Sequence, residues 1–268
     1  FKNIKKAAKS NININKWIYC ELIDTKKIVE KNIKDYRFDE AARNIYTFVW
    51  HSYCDWYLEF LKPIFNSKNK SEIREAKLFS SFIMSNILRM LHPFIPFFTE
   101  SVWSNNKFNR VFKEDLISSS WPNYRNSSKF LKNQTMVNNL IEIISNIRST
   151  KAELKITPKL FCNVSFSEKS KKLEKLIKSN LNLIKSVGRI NGITKNNLDN
   201  KNSIHILVLK EKLSLAFNED VDLISQKERI LDKIEKIKKQ INSLDNKLKN
   251  KAYLKNAPQD IVQNDKKL

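Results

Sequence analysis

The 268-residue chain is 41% hydrophobic, carries a formal charge of +22 and contains two glycines, Gly188 and Gly192. Two glycines cannot write G-x-G-x-x-G or G-x-x-x-x-G-K-[ST], so neither the dinucleotide-binding turn nor the phosphate loop is present. Three scattered cysteines (Cys20, Cys54, Cys162) and three scattered histidines (His51, His92, His205) form no CxxC pair and no four-ligand cluster. They read as reduced thiols of a cytoplasmic protein without a metal site. The charge points to a polyanion, most commonly nucleic acid. Only nine of the 50 basic residues are Arg, however, and the Lys-, Asn- and Ile-rich remainder is also what an A/T-rich genome would write. The most apolar window, Leu78 to Phe98, holds Asn86, Arg89 and His92 and is broken by Pro93 and Pro96, so no membrane span is expected.

Residues 1 to about 15 read as the end of a helix, and Lys16-Trp17-Ile18 opens the next, to about Ile33. A central helix follows from Phe38 to Pro63, with seven of the chain's 28 aromatic residues between Tyr46 and Phe60. At α-helical spacing Phe38, Ala42, Ile45, Val49, Ser52 and Trp56 share an inward face, and Tyr46, Trp50, Tyr53 and Tyr57 form a second apolar face. Ser71 caps a helix carrying Ala76, Phe79, Ile83 and Met90 on one side, with Glu75 near its positive end. Pro96 opens a short helix to Trp103. These elements predict an antiparallel helical bundle over residues 1–125.

Residues 104–134 read as a long connection, and Met136 to Leu154 as a helix. Leu160 to Phe166 alternates as a strand, Lys169 to Lys185 is basic and amphipathic, and Ile204–Leu209 and Leu213–Phe217 are β-like around a Lys210-Glu211-Lys212 turn. Residues 126–218 thus form a small α/β unit. From Leu223 to Asn250, Ile230, Ile234, Ile237, Ile241, Leu244 and Leu248 alternate spacings of four and three, a heptad seam that makes residues 219–268 a coiled-coil arm. Asp232–Lys236 and Glu235–Lys239 flank the seam as i,i+4 pairs. Tyr253 to Pro258 would turn into a returning helix, cut short at Leu268. The predicted fold is mainly α: bundle, α/β unit and arm.

The order of several motifs adds a family to this reading. Arg37-Phe38-Asp39-Glu40-Ala41-Ala42, Phe48-Val49-Trp50, Cys54-Asp55-Trp56-Tyr57-Leu58-Glu59 and Lys62-Pro63 together resemble the valine branch of class I aminoacyl-tRNA synthetases. Leu91-His92-Pro93-Phe94-Ile95-Pro96-Phe97 with Thr99-Glu100 and Trp103, then Ser119-Ser120-Trp121-Pro122, Ile147-Arg148-Ser149 with Ala152-Glu153 and Ile156-Thr157-Pro158, and finally Ala257-Pro258 continue the likeness in the same order. The resemblance implies the anticodon-binding bundle and terminal arm of such an enzyme, with tRNA(Val) and the enzyme's catalytic and editing domains as partners, in a monomer. ATP and Mg2+ would serve the parent enzyme. This chain has neither the His-Ile-Gly-His nor the Lys-Met-Ser-Lys-Ser signature of that family, and is expected to catalyse nothing alone. Alternatives are an isoleucine- or leucine-specific relative, a stand-alone RNA-binding module and a coiled-coil interaction protein.

The resemblance places a base-stacking Phe in an Asn-Ala-x-x-Phe segment before the bundle, of which Phe1 would be the last residue. Arg37 and Arg43, on or beside the matched motif, either touch RNA or form bundle salt bridges. Lys236, Lys239, Lys247 and Lys249 lie off the heptad seam and either meet phosphates or form a solvated face. The Asp55–Glu59 pair reads as a structural anchor, His51 as a partly exposed bundle residue and His92 as a satisfied helix end.

Overall fold

The computed structural model describes residues 10–123, 130–166, 171–194, 203–217 and 223–250. The chain divides into two compact units, Phe1–Ala216 and Phe217–Leu268. In the first, α1 (Asn13–Lys34) buries Trp17, Ile18, Leu22, Ile23 and Val29, apolar positions spaced for one helical face. It packs against α2 (Phe38–Thr47), α4 (Lys70–Leu91) and α7 (Leu131–Glu153). Asn69, two residues before the expected Ser71, is the cap of α4: its Oδ1 accepts the Glu72 amide at 3.2 Å. Glu75 reaches outward instead, accepting the Ser10 hydroxyl and the Asn11 amide (2.8 Å) at the entry to α1.

The central helix is not one α-helix. After α2 the backbone runs as a π-helix over Phe48–Tyr57 and returns to α-geometry in α3 (Leu58–Phe65), which contains Pro63. Each π turn bonds one residue further than an α turn, so the inward set shifts. Ala41, Ile45, Phe48, Tyr53, Tyr57, Phe60, Leu61 and Ile64 are buried, with five residues from Phe48 to Tyr53. Trp56, placed inward by α-spacing, is only partly buried, and Phe38 is exposed. Both departures have causes: the π stretch turns Trp56 aside, and Phe38, at the first position of its helix, lies at the edge of a cleft with Tyr36 as its ring neighbour.

The expected connection 104–134 holds structure of its own. Beyond α5 (Pro96–Asn105), α6 (Phe108–Phe112) and a 3₁₀ turn at Leu116–Ser118 fold back on Trp103. Leu88, Trp103, Phe108 and Leu116 form a satellite core. The Arg89 guanidinium lies 5.0 Å over Trp103 and 4.5 Å over Phe112.

Four strands follow in the order β2-β1-β4-β3: β1 (Cys162–Phe166), β2 (Ile190–Thr194), β3 (Ser203–Val208) and β4 (Glu211–Phe217). β1 pairs in parallel with β2, a strand not anticipated from sequence, and β3 pairs antiparallel with β4. The hairpin turns at Leu209–Lys210, both at positive φ (52° and 65°), one residue before the expected turn. The basic segment is two helices, α8 (Lys171–Ser179) and α9 (Leu181–Gly188), separated at Asn180.

The second unit contains α10 (Leu223–Lys249), a helix of 27 residues and about 40 Å. Ile234, Ile237 and Ile241 of its heptad seam are solvent-exposed, as is Leu231 beside it. The expected returning helix lies outside the described residues. Among the described residues no helix is long and apolar enough to cross a membrane.

Candidate nucleic-acid interface

The motif residues of the bundle turn out to be its joints. His92 Nδ1 lies 2.9 Å from the Thr99 hydroxyl, which also donates to the Ile95 carbonyl at 3.0 Å, so the helix-end histidine is satisfied as expected. Glu100 accepts the backbone amides of Leu116 (3.0 Å) and Ile117 (3.1 Å), and Trp103 Nε1 donates to the Glu114 carbonyl at 3.1 Å. Trp121 Nε1 donates to Glu30, itself 2.8 Å from Lys26 Nζ. Inside the bundle the Tyr57 hydroxyl donates to Asn15 Oδ1 at 2.8 Å, and Asn15 Nδ2 donates to Ser10 at 2.9 Å. Burial holds Tyr57 protonated well above the ordinary tyrosine value. Such partnered interior groups fix the geometry of the bundle.

Asp55 and Glu59 do not act as a pair. Asp55 lies 3.2 Å from His51 Nδ1, and Glu59 joins Lys62, all at or near the surface. At the junction of bundle and sheet, the buried Lys151 amine donates to the Leu160 carbonyl at 2.8 Å and to that of Arg189 at 3.4 Å. Burial lowers its proton affinity, and burial raises that of the neighbouring Cys162 thiol. Arg148 places its guanidinium 5.3 Å over Trp56 and donates to the Val187 carbonyl at 3.0 Å, tying α7 to both. No group of three potential metal ligands occurs among the described residues.

The surface separates the candidate RNA contacts into different places. Phe1 lies outside the described residues. Arg37 and Arg43 are exposed and share one carboxylate, Glu40, at 3.7 Å each. Their guanidinium charges are thus partly matched, though exposed pairs of this length hold little energy. On α10, Lys236, Lys239, Lys247 and Lys249 are all exposed, with Lys239 2.8 Å from Glu235. At 100° per residue Lys236, Lys239 and Lys247 share a face, and Lys249 stands off it. Lys239, Ser243, Asn246, Lys247 and Asn250 line a shallow groove there, so amines alternate with amide and hydroxyl groups. That combination suits phosphates and ribose hydroxyls. The exposed aromatics Tyr36, Tyr46, Trp50, Phe97 and Phe98 were not singled out as surface groups by the sequence. Tyr46 and Trp50 stack with ring centroids 6.0 Å apart. Only their position off the buried set, visible once the π stretch is known, marks them.

Known proteins give this arrangement its family. The chain is 42% identical to the valine–tRNA ligase of Pelagibacter ubique over 96% of its own length and 29% of that ligase. It is 29% identical to the valine–tRNA ligase of Agrobacterium fabrum, over 96% of this chain and 27% of that protein. Against the valine–tRNA ligase of Petrotoga mobilis the identity is 30%, over 94% of this chain and 29% of the relative. The chain therefore spans under a third of the length of these relatives. Residues 15–166, from the buried start of α1 to the end of β1, match the family described as the anticodon-binding domain of tRNA ligase, and to that family the chain belongs.

Proposed function

We propose that this chain is the tRNA-binding portion of a valine–tRNA ligase, holding tRNA(Val) by its anticodon and outer corner for a catalytic domain that lies elsewhere in the enzyme. The observation that carries the proposal is the match to valine–tRNA ligases along 96% of the chain, through the bundle and the α/β unit alike. The division of labour is a bundle over residues 1–125 for the anticodon, a connecting unit over 126–218, and an arm over 219–268 whose exposed heptad seam is one side of a coiled coil. Arg37 and Arg43 and the α10 lysines supply positive charge to the RNA backbone, each neutralised phosphate releasing a counterion. ATP and Mg2+ belong to the parent enzyme, as do its catalytic and editing domains. The test is direct. The purified chain should bind tRNA(Val) in a filter assay and show no valine-dependent ATP–pyrophosphate exchange. Equal affinity for valine and non-cognate tRNAs would remove the anticodon role, and exchange above background would overturn the assignment of catalysis to another domain.

A further inference from the structure

The junction of α7, α9 and the first two strands gathers cations that no carboxylate offsets. Arg148 reaches the Val187 carbonyl, and Lys151 those of Leu160 and Arg189, so both meet the turn between α9 and β2. The Arg189 side chain leaves the same turn, at a positive φ of 55°, and lies 5.8 Å over the Phe161 ring. Burial lowers the proton affinity of Lys151, and the Arg189 and Arg148 charges lower it further, against the pull of Cys162. Lys155 and Lys159 stand in the connection from α7 to β1 that carries Phe161. Arg148, Lys155, Lys159, Phe161 and Arg189 are all exposed.

Elsewhere in the first unit Lys26, Arg37, Arg43, Lys62 and Arg89 each face a carboxylate. Among the described residues, Arg148, Lys151, Lys155, Lys159 and Arg189 form no ion pair. Glu153 is the one acidic residue from Arg148 to Phe166, and there is none from Leu181 to Thr194. At 100° per residue Glu153 stands about 140° around α7 from Arg148. Glu59, a turn beyond the Trp56 ring under Arg148, joins Lys62 instead. Like charges held together without counterions repel one another, and an anionic ligand relieves that repulsion.

Resting on the reading of the chain as the tRNA-binding portion of a valine–tRNA ligase, we propose that this junction is a further RNA site, where Arg148, Lys155, Lys159 and Arg189 meet backbone phosphates beside the Phe161 ring. The family match runs to residue 166 and so includes the limb that carries Lys155, Lys159 and Phe161. Cations next to an exposed aromatic face are the groups that hold unpaired RNA, the cations on phosphates and the ring against a base. The site is distinct from Arg37 and Arg43 and from the α10 lysines. Phosphate contacts carry no sequence information, so it adds affinity rather than choice among tRNAs.

The test uses the whole chain with tRNA(Val) and one unrelated tRNA. Lys155→Glu/Lys159→Glu/Arg189→Glu leaves the carbonyl contacts of Arg148 and Lys151 in place and should not change the melting temperature. It should lower affinity for both tRNAs about tenfold or more, by the same factor, and lower the slope of log affinity against log salt by about 3. Lys155→Gln/Lys159→Gln, which spares β2, should lower that slope by about 2 and serves if the triple variant does not fold. Lys107→Glu/Arg110→Glu/Lys113→Glu removes the same charge around α6 and should cost less than about threefold in affinity. Equal losses in the two triple variants would reduce the effect to net charge and overturn the site. Unchanged affinity and slope in folded variants would overturn it as well, and loss confined to tRNA(Val) would replace phosphate contact by base readout. If the parent chain holds both tRNAs equally and the first triple variant weakens both, the anticodon reading falls and this site stands. A parent chain that binds neither tRNA would sink both.

Discussion

Tyr57 shows how one side chain couples the interior to solution conditions. Its hydroxyl is buried and donates to Asn15, and burial holds its proton affinity well above the ordinary tyrosine value of 10.0. The folded state therefore keeps a proton that the unfolded chain releases near pH 10. The stability this gives is fully present below that pH and drains away as pH rises above it. Tyr57→Phe should cost about 1–3 kcal/mol at neutral pH by orphaning Asn15 Oδ1, and should flatten the fall in stability above pH 10, both read from urea unfolding across pH. Trp56 is the contrasting case. Its ring meets Phe60 and the Arg148 guanidinium, and the residue packs on the rim of the core, only partly buried. Trp56→Ala should cost only about 1–3 kcal/mol, whereas Phe60→Ala, fully buried, should cost about 3–5 kcal/mol. Thermal melts of the two variants test the order; equal losses would mean that Trp56 belongs to the core after all.

Among the elements the π-helical stretch teaches most. Its inward set resumes after a spacing of five, from Phe48 to Tyr53. Removing one exposed residue there would restore α-spacing and leave Tyr53, Tyr57 and Phe60 inward. Deletion of His51 should therefore give a cooperative melt within about 2 kcal/mol of the parent chain. Deletion of Ser81 from the regular helix α4 would rotate everything beyond it by about 100° and should abolish cooperative melting. This stretch also explains where the sequence was opaque. The helices, their order and the mixed α/β section were legible because each follows a regular apolar period. The exposure of Phe38 and Trp56 was not, because a single added residue per turn is invisible to a 3.6-residue period. Strand β2 was missed because Arg189-Ile190-Asn191-Gly192 alternates too briefly. The satellite core was missed because Asn and Lys between Phe108 and Phe112 read as loop. The site residues were legible only as residue types, since what places Arg37 beside Glu40 is a turn of helix, not a motif. On α10 the same regularity gives a test. Lys236→Glu, Lys239→Glu and Lys247→Glu together should lower the slope of log tRNA affinity against log salt by about 3, near 0.9 per phosphate contact. Lys249→Glu, off that face, should change it by less than 1 if the grooved face meets the RNA.

At the scale of the whole molecule, lysine is the commonest way this chain meets solvent, and Lys151 is an exception. Together with Lys26 it is one of two lysines in the buried class among the described residues, at 3% and 9% exposure. Its amine is held by two carbonyls between the bundle and the sheet. An amine-directed acylating reagent can reach the surface lysines of the native protein within minutes, but can reach Lys151 only when that junction opens. The modification rate at Lys151, followed by peptide mass spectrometry, should thus report the opening free energy of the first unit in the native state, without denaturant. It should fall when tRNA is added if binding stabilises the folded unit, by the mass-action increment expected for a ligand that binds only the folded state. The same chain that advertises its charge to polyanions thereby carries a slow chemical clock for its own unfolding.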